Sequence, residues 1–358
     1  MFDTREVRAT AIAAACLILY IAVVLATGRV DPAQLYGLFA VYLDGSFFLW
    51  LLVGIAYALI HLCILARRSG GSPVLASAAG SAVGAITARW QRDRGLSLLW
   101  PPVLFAALMA SFNAFKQMVL PLAGYRLDPF LAGADHLLFF GHDPWRVTHA
   151  LLASPDATLL IDRFYHGWFA PMALGIILCA WLPASTFRLR TQYLFSYLGV
   201  WIGIGSLLAF LLPSAGPCFY TRLVGPSPSF DALLSSLTQV QTVTGSPVMS
   251  LKIQDWLIQA HDARTLVVGA GISAMPSVHN GLAFLFALAA FRINRVMGWL
   301  FAAYALLIWI GSIHLGWHYA VDGIAGDAVT YSIWRLSGRL AERLERPILA
   351  ASPEPVLA

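Results

Sequence analysis

The chain is expected to be an all-α, polytopic membrane helical bundle of about eight spans, and three observations carry that expectation. Of its 358 residues, 59% are hydrophobic and only 11% charged, whereas about a quarter of a soluble domain is charged. The apolar residues fall in long runs, close to the roughly 20 residues with which a helix crosses a bilayer. Basic residues gather in alternate connecting segments, the asymmetry that sets membrane orientation. The net charge of +5 therefore marks one membrane face and does not point to a nucleic-acid partner.

Taken in order, the first apolar run, residues 9–27, follows Arg5 and Arg8. It is too long for a typical signal-peptide core, so an uncleaved first span is expected. A second run covers 47–65, with 31–44 between them as a short outer loop. Residues 69–96, rich in Gly, Ser and Ala, form an inner linker. The division that follows is two leading spans with their linker (1–95), a six-helix core (96–340) and a cytoplasmic tail (341–358). Core runs lie at 99–122, 165–182, 193–212, 276–291, 296–313 and 319–336. With both termini cytoplasmic, fifteen of the 23 Lys and Arg residues fall on the inner side, as the positive-inside rule requires. Residues 125–162 mix acids with apolar runs and suit the interface, where Trp145 would anchor at headgroup level. The largest outer loop, 213–271, is punctuated by Gly and Pro and is expected to fold over a site as a partial lid. Cys16, Cys63, Cys179 and Cys218 include no Cys-x-x-Cys pair and imply no disulfide framework.

Chemistry concentrates in two stretches, Ser273-Ala-Met-Pro-Ser-Val-His279 and His314-Leu-Gly-Trp-His-Tyr-Ala-Val-Asp322. Pro276 suits the opening of a helix that the apolar run continues. Ser277 and His279 then sit at its first turn, where free N–H groups and the helix dipole favour an anion such as phosphate. His318 and Asp322 are four residues apart, so on one helix they share a face and the carboxylate can orient the imidazole. The expected topology puts Ser277, His279, His318 and Asp322 together at the outer face. A lone histidine at a helix start is more often structural; two on one face, one backed by an aspartate, point to phosphoryl transfer. Two alternatives compete. His314, His318 and Asp322 at i, i+4 and i+8 could supply three metal ligands. A transporter could use the histidines for ion coupling, but would place polar groups through several spans and break helices at mid-membrane.

These residues resemble the membrane-bound type 2 phosphatidic acid phosphatase superfamily, and within it the branch of fungal inositol phosphorylceramide synthase and its bacterial relatives. Pro276, Ser277, Val278 and His279 match the family's PSxH, and His318 to Asp322 its histidine followed by xxxD. The similarity covers about residues 98–336. It implies that His318 is the nucleophile, forming a phosphohistidine, with Asp322 orienting it. His279 would protonate the leaving oxygen, and Ser277 and the helix N-terminus would hold phosphate oxygens. No cofactor or metal is implied. The partner would be a membrane lipid substrate, with water, a polyol or a lipid alcohol as acceptor, and the site would lie at the outer face of the plasma (inner) membrane. There are departures. The family's first motif, a lysine, six residues and Arg-Pro, is absent from 212–222; Val278 replaces a glycine, and Ser312 an arginine. These losses fit the synthase branch better than phosphatidic acid hydrolysis. Lys116, with Asn113 one turn away, is then expected to bind phosphate, unless it snorkels to the headgroups. Arg222, in the segment replacing the first motif, is the other expected cation, and Tyr220 and Arg163 are further suggestions.

Overall fold

The computed structural model describes residues 3–68, 95–182, 186–264 and 266–346, with Gly80, Gly84, Thr87 and Gln91. Among them every regular element is helical. Most of the expected linker and the end of the expected tail fall outside the described residues. The chain opens with α1 (Thr4–Ala26), capped by the Asp3 side chain, which accepts a bond from the Arg5 N–H. Next comes α2 (Pro32–Arg68), which begins at a proline suited to a first helical turn. The expected outer loop at 31–44 is thus mostly helix: its apolar residues Leu35 and Leu38 are buried, and packing overrides the punctuation. Helix α3 (Leu96–Met118) carries Asn113 and Lys116 near its end.

Three short helices follow, α4 (Asp128–Leu138), α5 (Pro144–Leu151) and α6 (Pro155–His166), each with a proline at its first or second position. After a break at Gly167 and Trp168 the chain continues as α7 (Phe169–Trp181). Next, α8 (Phe187–Gly199) passes into a wide π turn over Val200–Leu208. The large loop folds into α9 (Pro228–Thr244), capped by Ser227, and α10 (Met249–Ala263). The last three helices, α11 (Val278–Ile293), α12 (Arg295–His314) and α13 (Ala320–Glu345), pack as neighbours.

Six helices among the described residues are long and apolar enough to cross a membrane, consistent with a polytopic helical bundle. They are Thr4–Ala26, Pro32–Ile64, Leu96–Ala123, Pro155–Trp181, Phe187–Leu211 and Arg295–His314. Two of the eight expected spans fall on helices of another kind. Helix α11 has only 16 residues, about 24 Å at 1.5 Å per residue, and α13 is longer but more polar. Helix α11 buries Leu282, Ala283, Leu285 and Phe286, whereas α13 packs one face against its neighbours and leaves Ile324, Tyr331 and Leu336 exposed. Their close approach depends on Gly326, where a Cβ would lie 2.5 Å from the Ser277 carbonyl oxygen. The start of α11, the end of α12 and the start of α13 therefore meet at one end of the bundle.

Candidate active site

Helix α11 starts with Ser277 as its N-cap: the hydroxyl accepts from the Asn280 N–H at 3.3 Å and from Asn280 Nδ2 at 3.0 Å. Pro276 therefore lies just outside the helix, one position earlier than a proline at the first helical residue would. The Ser277 N–H donates to the Asp322 carbonyl at 3.0 Å, which ties the two motif stretches together. Val278 and His279 occupy the first turn, where N–H groups have no helical acceptor upstream.

Expected to share a helix, His318 and Asp322 do not. Helix α12 ends at His314, the chain turns through Gly316 at φ +76°, and Asp322 is the third residue of α13. A capping box brings the pair together: Asp322 Oδ2 accepts from the Tyr319 N–H at 2.9 Å, which draws the carboxylate back over the chain preceding the helix. His318 Nδ1 lies 3.4 Å from Asp322 Oδ2, within ion-pair reach but without hydrogen-bond alignment; such contacts in free enzymes commonly tighten on binding. The Ser312 carbonyl holds the turn, accepting from the N–H groups of Trp317 (2.8 Å) and His318 (3.1 Å).

The His279 and His318 rings are 6.0 Å apart between centres and both line a cavity of about 440 Å³. His279 stacks on Trp168 at 4.0 Å and lies parallel to Tyr165 at 5.4 Å; the Trp168 indole N–H donates to its carbonyl at 3.1 Å. Lys116 also lines the cavity, the only Lys or Arg to do so among the described residues. Its stem runs under Gly271, whose φ of +111° suits glycine and where a Cβ would sit 2.8 Å from Lys116 Cγ. Away from these groups the walls are apolar and aromatic, with Met109, Phe112, Met172 and Trp201 among them.

The loop expected to cover the site does contribute its roof, through Ile253 and Trp256 of α10 and residues 268–272. Side chains of α3 pin that roof. Asn113 Nδ2 and Gln117 Nε2 donate to the Val267 carbonyl at 2.8 and 2.7 Å, Gln117 Oε1 accepts from the Val267 N–H at 2.9 Å, and Asn113 Oδ1 from the Gly269 N–H at 2.7 Å.

Two buried carboxylates of α4 were not singled out by the sequence. Asp128 accepts from the N–H groups of Ala215 and Gly216, both at 2.8 Å, and from the Tyr319 hydroxyl at 2.9 Å. It fixes the segment that stands in place of the family's first motif against the residue beside His318. Asp135 accepts from the Ala320 and Val321 N–H groups at 2.7 and 3.0 Å, capping α13 from a distance. Burial pushes both carboxyls up against the pull of these donors, Asp135 to about 7.

Four expected residues are not brought to the cavity. Ser277 is fully buried with its hydroxyl engaged as a cap. Arg222 is exposed, 3.7 Å from Asp255; Tyr220 packs on Phe230 at 5.1 Å; and Arg163 lines a separate apolar groove with Tyr304. His314 also turns away: its Nε2 lies 2.9 Å from Thr158 Oγ1 and its ring meets that of His149 at a tilt, 4.1 Å between centres. The i, i+4, i+8 ligand set is therefore not assembled, because the three residues span two helices and a turn, and no metal-binding group of three or more His, Cys, Asp or Glu occurs among the described residues.

A family model described as the PAP2 superfamily matches residues 129–336, more than half of the chain. No curated protein and no solved structure matches.

Proposed function

The chain belongs to the PAP2 superfamily of phosphatase-type lipid enzymes, and from that premise we propose that it transfers a phosphate-linked lipid headgroup through a phosphohistidine on His318. The observation that carries this reading is the pair of imidazoles, His279 and His318, 6.0 Å apart in one cavity with Lys116, close enough for one phosphoryl group to reach both.

With Nδ1 turned to Asp322, Nε2 of His318 attacks phosphorus. The N–P bond forms as the bond to the leaving oxygen breaks, and His279 gives that oxygen a proton. In the second half-reaction the acceptor hydroxyl loses its proton to His279 and attacks phosphorus; the N–P bond breaks and its electron pair returns to His318. Asp322 holds the nucleophile's tautomer and stabilises its imidazolium. Lys116 and the first-turn amides of α11 face the charge that develops on the phosphoryl oxygens. Ser277 acts one step back, as the cap that fixes those amides.

Transfer of the inositolphosphotransferase type is preferred to hydrolysis. With Lys116 the only Lys or Arg lining the cavity among the described residues, the site suits the one negative charge of a phosphodiester better than a phosphomonoester dianion, and the missing first motif agrees. From the basic residues we place the site at the outer face of an inner membrane. The test is product analysis by mass spectrometry after incubation with mixed lipids and polyols, alongside His318→Ala. A new phosphodiester is expected from the wild type and none from the variant. Inorganic phosphate or free headgroup phosphate as sole product would establish water as acceptor, and full turnover by His318→Ala would remove the mechanism.

A further inference from the structure

A third imidazole reaches the cavity without belonging to either motif. His166, the last residue of α6, lines it together with His279, His318 and Lys116. Its Nδ1 is 2.8 Å from the Asp162 carbonyl and 3.3 Å from Asp162 Oδ1. The carboxylate is held in turn by the Ser250 hydroxyl at 2.6 Å and by the N–H groups of Met249 and Ser250 at 2.6 and 3.0 Å. The same hydroxyl accepts from the Trp317 indole at 3.0 Å, and Trp317 precedes His318. A helix-end bond would account for Nδ1 alone. The network fixes the whole ring, leaves Nε2 as its free edge, and links it to the residue beside the nucleophile.

His166 sits at the start of the α6–α7 break, and the next cavity residues along the chain are Trp168 and Phe169, both ring neighbours of His279 at 4.0 and 6.3 Å, and Met172. Ile253 and Trp256, from the helix that Asp162 caps, line the same cavity. A donor lipid's chain belongs against the apolar walls, so a hydroxyl that enters after the first leaving group departs is left the polar groups of the lining, His166, His279, His318 and Lys116. We propose that His166, oriented by Asp162, binds the hydroxyl of the acceptor in the second half-reaction, the proton itself passing to His279. This rests on the phosphotransfer reading above. A group built to hydrogen-bond a substrate hydroxyl is what lets an alcohol be selected.

The experiment uses the full chain in detergent with fluorescent phosphatidylinositol and phosphatidic acid as donors. Glycerol and myo-inositol serve as polyol acceptors and ceramide as a lipid alcohol. His166→Phe should leave the first-turnover release of the donor's lipid alcohol within about twofold of wild type and raise the acceptor KM about tenfold or more. His166→Gln, which keeps a polar atom near the Nε2 position, should fall between and covers the case in which the phenylalanine variant fails to fold. The acceptor class whose transfer is affected identifies a polyol or a lipid alcohol. An unchanged acceptor KM, or equal loss of donor cleavage and transfer in a protein that melts like wild type, overturns the assignment. No difference in donor cleavage between wild type and His318→Ala would instead overturn the phosphotransfer reading, and this assignment with it.

Discussion

Asp322 does two tasks with one side chain: Oδ2 accepts the Tyr319 N–H at 2.9 Å and faces His318 Nδ1 at 3.4 Å. Asp322→Asn keeps the cap's shape but reverses the preference for the imidazole tautomer. A fall in kcat of roughly 10²–10⁴-fold with unchanged thermal stability is expected from comparable dyads, measured by steady-state headgroup release. Lys116→Met keeps the buried stem and removes the charge; a loss of about 10²–10³-fold in kcat/KM is expected if it stabilises the transferring group, and a change below about threefold would count against it. At this scale much was legible. Spacing alone joined His318 to Asp322, although a capping box, not a shared helical face, makes the contact. An ammonium inside a span needs a reason, which is why Lys116 could be singled out, and the structure places it in the cavity wall. Arg222 misled because position in a segment says nothing of direction: its nearest acid, Asp255, lies outside the cavity. His166 gave no sequence signal, since its partner Asp162 matters only through Ser250 and Trp317, both distant along the chain.

Among the elements, α4 shows how long-range capping builds the site. Asp128 and Asp135, two turns apart, reach the segment at 215–216 and the first turn of α13. Composition placed this stretch at the interface as an amphipathic segment but could not show which backbone amides its acids would meet. With burial holding the Asp135 carboxyl at about 7, above an unfolded value of about 3.9, the folded state binds the proton more tightly. The stability this contributes is fully present below about pH 4 and is lost as pH rises through about 7. Thermal melts of the wild type and Asp135→Asn from pH 4 to 8 should show the wild type losing ground to the variant as pH increases; a constant difference would refute this. The helices themselves were largely readable from apolar runs. The exceptions, α4, α5, α6, α9, α10 and the early start of α2, form where local punctuation is outweighed by packing of residues such as Leu35, Leu131, Leu159, Leu233 and Leu257.

At the scale of the whole molecule, the two leading helices pack directly on the six-helix core. Glu6 of α1 pairs with Arg190 of α8, both buried, and the Tyr20 hydroxyl meets Ser206 at 2.7 Å. Tyr42 of α2 lines the same cavity as His279 and His318. The linker's composition suggested separation, because sequence shows where a chain is polar but not what its neighbouring helices cover. The pinned roof has a kinetic consequence. Four hydrogen bonds with Asn113 and Gln117 hold the ceiling, and if it stays shut a long-chain donor must enter sideways from the surrounding leaflet. Encounter then obeys two-dimensional diffusion: diluting the donor with inert detergent or lipid at fixed bulk concentration should slow catalysis in proportion to its mole fraction, whereas a rate that followed bulk concentration alone would mean that the ceiling opens to water.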